Sequence, residues 1–515
     1  MSAADEPDEQ AARAQHTEQA LGVLLDPALE PIVEMVLLCR DGHYEAHAPD
    51  GYVRFRRHEP DGATGWDFTV EEVSGRDPLA DQALDRFAPL AEELANPFPD
   101  RTRNAYPFAH EQVAQLFDHP SAPDLCVVHT ASHHWADQGG HIGEHGSLAS
   151  VQCRAPFIIS GVGARRDGMV DVPAQLVDIA PTVLALAGVD PAGGAGIDGR
   201  ARADAHLRHQ DGDVLTALLD PGGRPDHVIG FLLDGCNANV LYDMAAAGEA
   251  PNIAALMADG TTLRNGIVSS LPTVTLPNHT TVITGRHPGH HGILHNAWWD
   301  RSAGRQVITN SPATWATAME ALAPGTDSIH LALQRARPGA FTASVNEPAD
   351  HGATYSTFDL MRRGVRMRFP KTAEGLPHAS EMFVRPVKDY ATFTQVDHHG
   401  TEQAVGIIDG SYLGTDYPMP AFLWVNFTLT DSAFHEGGPH SEIARASVRD
   451  TDGRIGEVLD ALDRRGVRDR CAFFLCADHG MEQSDPAVGG DWSPGLRDAG
   501  LDVRDEAFGF LYVDP

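Results

Sequence analysis

The sequence predicts an α/β protein whose core is a doubly wound, mostly parallel sheet with helices on both faces. Short apolar runs, Val228 to Leu233, Phe422 to Phe427 and Ala472 to Cys476, each stop at a polar or glycine-containing turn, as buried parallel strands do. Helical patterns such as Asp178 to Leu186 and Ser447 to Leu462 lie between such runs, and alternation of strand and helix favours a doubly wound sheet.

In chain order, residues 1–20 (MSAADEPDEQAARAQHTEQA) are acidic and lack an apolar core, which reads as a disordered tail rather than a signal peptide or membrane anchor. Tyr44 to Arg56 reads as a hairpin turning at Pro49-Asp50-Gly51, an accessory or edge element. Cys126 to His129 and Pro156 to Ser160 repeat the buried-strand pattern. A polar stretch ending DPGGRPD makes residues 206–225 a linker between one length of chain, 21–205, and another, 226–515. Within the second length, residues 300–415 break the strand-helix rhythm with Pro, Gly and Arg and are expected to form a cap over the site.

The 515 residues carry 72 acidic against 38 basic side chains, a formal charge of −34. Duplex nucleic acid is therefore excluded as a partner, because binding its phosphates requires a basic surface; a small phosphorylated substrate held through cations is not. No run of about 18 apolar residues predicts a membrane span. Six cysteines are scattered, without a close-spaced zinc or redox pair, which fits reduced core thiols in a cytoplasmic protein.

The strongest local signal is Ser270 to Gly292, where Thr275 stands two residues before a proline suited to the first turn of a helix. Threonine there serves as an N-cap or as a nucleophile at an anion-binding helix start, and that segment alone leaves both open. Asp234 ends one apolar run, Asp431 and His435 follow a second at a spacing of four, and Asp478-His479 follow a third. Three carboxylates at one sheet edge repel each other unless cations lie between them, and Asp with His suits zinc or a similar divalent metal.

Together these segments resemble the type I phosphodiesterase and nucleotide pyrophosphatase branch of the alkaline phosphatase superfamily. The resemblance is carried by Phe231-Leu232-Leu233-Asp234-Gly235, Thr275-Leu276-Pro277-Asn278, His291-Gly292-Ile293 with Asn296, Asp431 with His435, and Asp478 to Met481. The family also has a metal-binding histidine in a Gly-x-His-Gly segment downstream of Asp-His-Gly. Here that segment occurs near the N-terminus, as Gly143-Glu144-His145-Gly146, so the chain resembles a circular permutant. His141 in the same loop competes for that role; His133 and His134 read as surface residues.

The resemblance implies an alkaline phosphatase-like fold and hydrolysis of a phosphodiester or pyrophosphate bond through a phosphothreonine. It implies two divalent metal ions, zinc by preference: Asp234, Asp478 and His479 hold one beside the nucleophile Thr275, and Asp431, His435 and His145 hold the other. Asn296 and the Thr275 N–H would stabilise the developing negative oxygen. Leu276 stands where nucleotide-cleaving members carry an aromatic residue, with Trp298 and Trp299 as substitute platforms or as packing. Phosphomonoester and phosphonate hydrolysis rank next, then a catalytically silent binding domain and a metal-free hydrolase with His279 as base. The permuted site is expected to form within one chain or by exchange in a homodimer.

Overall fold

The computed structural model describes residues 6–58, 66–98, 104–135, 141–189, 207, 210–364, 388–507 and 509–513. An eight-stranded mixed sheet forms its centre. The strand His227–Leu233 lies between two parallel neighbours, Phe422–Phe427 and Cys471–Cys476, and Val228 pairs in register with both Phe422 and Ala472. All three carboxyl ends therefore finish level at one edge. Successive strand residues point to opposite faces, yet nearly every one in these strands is buried. Both faces are thus covered, by one group of helices that pack on one another, Ala238–Ala247, Pro251–Ala258 and Glu442–Arg465, and by a second such group, Ile179–Leu186, Thr275–Thr284 and Ile329–Ala336, all with apolar side chains in the central core.

Phe157–Gly161 joins this sheet antiparallel to Cys471–Cys476, so chain before the expected linker supplies an interior strand of a sheet whose neighbouring strands come after it. The Cys126 strand does not join. Leu125–His129 instead lies between Val33–Arg40 and Phe510–Val513 in a second, seven-stranded antiparallel sheet, which also contains the expected hairpin, His43–Ala48 with Gly51–His58. Its short run fits an antiparallel strand buried on both faces as well as a parallel one, which periodicity does not distinguish.

Burial on both faces also explains the N-terminal segment. Met35, Leu37, Cys126 and Val128 face one core; Val36, Leu38, Leu125 and Val127 face another. Ala20, Leu21 and Leu24 of the helix Glu6–Leu24 cover that second face with Trp492 and Leu511. Most of the segment expected to be a disordered tail is thus helical; residues 1–5 lie outside the described residues.

The expected linker is packed rather than free: Leu207, Leu215 and Leu218 enter the central core, and the Asp220 N–H donates to the Gly163 carbonyl. Residues 206, 208 and 209 lie outside the described residues. The expected cap divides. Thr342–Val345 is a strand of the central sheet parallel to Phe422–Phe427, whereas Trp315, Phe358 and Phe393 overhang the sheet's carboxyl edge. Residues 365–387 lie outside the described residues. Among the described residues no helix is long and apolar enough to cross a membrane.

Candidate metal centre and active site

Three acidic residues meet where the three level strands end. Asp234 directly follows its strand, Asp478 comes two residues after Cys476, and Asp431 lies in the helix Leu429–Gly437. His435 sits four residues on from Asp431, on the same helix face, with Nε2 3.4 Å from Asp431 Oδ1. Gly235 makes the crowding tolerable: its φ is 63°, and a Cβ there would lie 2.5 Å from Asp431 Oδ1. Its N–H donates to Asp478 Oδ1 at 3.0 Å, leaving Oδ2 to face His479 Nε2 at 3.1 Å.

His145 arrives from the other length of chain. Its loop is fastened on three sides: Gly143–Glu144 pairs with Glu482–Gln483, the Ile142 N–H donates to the His435 carbonyl, and Gly146 bridges to Thr273. The His145 ring stacks on His479 at 3.7 Å, and its Nε2 lies 3.9 Å from Asp431 Oδ1. His141 is more exposed and faces Glu144 at 3.6 Å. The geometry therefore seats His145, not His141, against Asp431. His133, expected at the surface, is fully buried beside Trp135 and Trp492; His134 meets Ser484 Oγ.

His145, His435 and His479 share one device. In each, Nδ1 meets a backbone carbonyl, of Thr273, Gly143 and Gly480 respectively, at 2.7 to 2.9 Å. An Nδ1–H donated to a carbonyl leaves the Nε2 lone pair free, the arrangement that orients metal-binding histidines. Asp234 Oδ1, Asp431 Oδ1, Asp478 Oδ2 and His479 Nε2 are buried without a hydrogen-bond partner. Burial, then the Asp478 and Asp431 carboxylates, push the Asp234 carboxyl well above the usual range. Burial and the neighbouring His479 and His435 hold the His145 imidazole well below its ordinary value. Orphaned acceptors, the neutral His145 imidazole and crowded carboxylates are relieved together by divalent cations. The donor set fits such cations: His145, Asp431 and His435 form one compact group, and Asp234, Asp431 and His479 another.

Thr275 opens the helix Thr275–Thr284, with Val274 as its cap. It is thus the first helical residue rather than the N-cap, half-buried, and lines a cavity of about 110 Å³ with Asp234 and Asp431. Asn296 accepts from the Leu276 N–H at 3.2 Å through Oδ1, which leaves its Nδ2 to donate. Trp298 and Trp299 are not at this cavity. Trp298 is buried in the core beneath the second sheet, and Trp299 is covered by the Arg504 guanidinium at 3.4 Å. The aromatic lining comes instead from Trp315, Phe358 and Phe393, which lie in a region the sequence marks only as a cap. Glu144 beside His435 and Glu347 behind the cluster had no spacing signal to reveal them; burial above all pushes Glu144 up to about 7.

The fold and site thus define an α/β protein with a two-part Asp/His centre at the carboxyl edge of its central sheet. Residues 228–514, more than half the chain, match the family of type I phosphodiesterases and nucleotide pyrophosphatases, and the protein belongs to that family. It is 25% identical over 264 residues to a Schizosaccharomyces pombe protein described as an uncharacterized pyrophosphatase/phosphodiesterase, covering 49% of this chain and 44% of that one. It is 24% identical over 344 residues to the alkaline phosphatase PafA of Elizabethkingia meningoseptica, covering 51% and 61%. A solved structure of murine ectonucleotide pyrophosphatase/phosphodiesterase 5, an inactive variant in complex with AMP, aligns with a TM-score of 0.40 at 18% identity over 55% of this chain and 64% of that one. The chain spans about half the length of the curated relatives it matches.

Proposed function

We propose that the protein hydrolyses a phosphodiester or pyrophosphate bond in a small substrate, with Thr275 as nucleophile. The observation that carries this is the convergence of the Asp234, Asp431 and Asp478 carboxylates with the Nε2 atoms of His145, His435 and His479 beside the Thr275 cavity. Asp234, Asp478 and His479, with Thr275, would hold one divalent cation and Asp431, His435 and His145 the second, zinc being preferred by mixed nitrogen and oxygen donors. When bound, such a pair favours the ionised Thr275 hydroxyl and offsets the charge of the phosphoryl oxygens.

The Thr275 oxygen attacks phosphorus, the bond to the leaving oxygen breaks on the opposite side, and a phosphothreonine forms. Water then cleaves that ester and returns the threonine hydroxyl. Asn296 Nδ2 and the first N–H of the Thr275 helix donate to a non-bridging oxygen as charge builds on it. Trp315, Phe358 and Phe393 give the cavity an aromatic side, which supports a substrate that keeps a second organic group on phosphorus after the leaving oxygen departs, hence a diester over a monoester.

His145 lies outside the residues that match the family, yet meets Asp431 within one chain. We read the chain as a circular permutant whose single site is built from both lengths, with no exchange between subunits needed. The free thiols, five buried and Cys39 half-buried, fit a reducing, cytoplasmic setting. Thr275→Ala is expected to abolish hydrolysis of an aryl phosphodiester while about two zinc ions per chain remain by elemental analysis. Activity above a few per cent of the starting protein would move the nucleophile elsewhere.

A further inference from the structure

Two buried residues behind the cluster have no task among the ligands or the nucleophile. His279 lies one turn into the Thr275–Thr284 helix, and Glu347 follows the strand Thr342–Val345. Their side chains are 1% and 0% exposed. His279 Nδ1 lies 3.0 Å from the Glu347 carboxylate, which is itself fixed by the Ala349 N–H at 2.8 Å. The other ring nitrogen, Nε2, lies 3.3 Å from Asp478 Oδ2 and 3.6 Å from Asp234 Oδ2. It therefore meets the Asp234 oxygen that turns away from His479, because Oδ1 is the one 4.0 Å from His479 Nε2.

We propose that Glu347 and His279 form a buried brace that sets the orientation of the Asp234 and Asp478 carboxylates, as positioning residues for the cation beside Thr275. The inference rests on reading Asp234, Asp478 and His479 as metal ligands. An aspartate carboxylate turns freely about its last torsion, whose energy wells are broad, so its ligand oxygen is fixed only by what touches the other positions. Asp478 is held by a hydrogen bond from the Gly235 N–H on Oδ1, and His279 Nε2 faces its Oδ2 at 3.3 Å as a charge contact rather than a hydrogen bond. Asp234 Oδ1 has no hydrogen-bond partner, and of the two histidines that face this carboxylate His279, 3.6 Å from Oδ2, is nearer than His479, 4.0 Å from Oδ1. Glu347 fixes which way the ring faces: with Nδ1 turned to that carboxylate, only Nε2 reaches the aspartates. Because His279 is one turn from Thr275, the brace also ties the nucleophile's helix to the sheet edge that carries the ligands.

The competing role is direct ligation, since Asp234, His279 and Asp478 also lie close enough to share an ion. Zinc affinity of the full chain, measured by competition with a chromogenic chelator, and the visible spectrum of cobalt-substituted protein separate the two. His279→Ala and Glu347→Ala are each expected to weaken zinc binding about 10- to 100-fold, the usual effect of losing a residue that orients a ligand. His279→Gln, which still donates toward the aspartates, is expected to recover part of the loss with the cobalt bands unchanged. Should an alanine variant fail to fold, as judged by circular dichroism, Glu347→Gln keeps the packing and is expected to show a smaller loss in the same direction. Zinc affinities within about twofold of the starting protein in these variants would overturn the brace, as would altered cobalt bands in His279→Gln, which would make His279 a ligand. Starting protein that takes up no zinc would overturn the reading of the site and the brace with it; tight zinc binding with unaffected variants overturns the brace alone.

Discussion

Thr273→Val tests how the histidine from one length of chain is held against the nucleophile segment of the other. Thr273 is fully buried; its hydroxyl accepts from the Gly146 N–H at 3.0 Å and donates to the Ser147 carbonyl at 2.8 Å. Its own carbonyl meets His145 Nδ1 at 2.9 Å. Valine keeps the shape and removes the hydroxyl, orphaning two backbone groups. A buried orphan costs about 1–3 kcal/mol; Ser147 is fully buried, while Gly146 is half-buried and within reach of water. The sum is about 2–4 kcal/mol. Unfolding entropy for a chain of 515 residues is on the order of 1 kcal/mol per kelvin if it melts as one unit, so the metal-free protein should melt about 2–4 °C lower. Calorimetry on metal-free samples isolates this term, because bound metal would add its own stabilisation. Zinc affinity should fall about tenfold as His145 loses its fixed position. A melting temperature within about 0.5 °C of the starting protein, with zinc affinity unchanged, would refute the view that these hydrogen bonds hold the two lengths together.

Two further outcomes follow from packing and charge. Gly230 sits mid-strand where an added Cβ would lie 2.4 Å from both Trp424 Cε3 and Phe474 Cζ, so Gly230→Ala should cost about 1–3 kcal/mol by overpacking, seen as a lower melting temperature; an unchanged melt would mean that the rings part freely. His290 is buried, which opposes its charge, yet Asp211 and Asp118 outweigh burial and raise it to about 9. The folded state therefore holds its proton more tightly than the unfolded chain, whose histidines titrate near 6.5, so this contribution is complete below about 6.5 and is lost as pH rises through about 9. His290→Gln should flatten the stability profile over that window, and a variant profile parallel to the original would refute the assignment.

The strands before Asp234, Asp431 and Asp478, the Asp431–His435 spacing and the Thr275 helix start were legible in the sequence, because each depends on neighbours a few residues away. An apolar run ending at an acidic turn and a proline two residues after a threonine encode their local structure directly. The family resemblance extended that reading to His145, and the fold brings His145 to Asp431 across some 290 residues of chain. The sequence could not say that Leu125–His129 belongs to a second sheet, because a short apolar run fits either partner. Nor did it reveal the helix at Glu6–Leu24, whose few apolar residues gain an order only from the sheet face they cover. Glu347, Trp315, Phe358 and Phe393 were silent for a related reason. Their roles are defined by what lies opposite them in space, and burial, charge compensation and cavity lining depend on tertiary contacts that local residue order does not record.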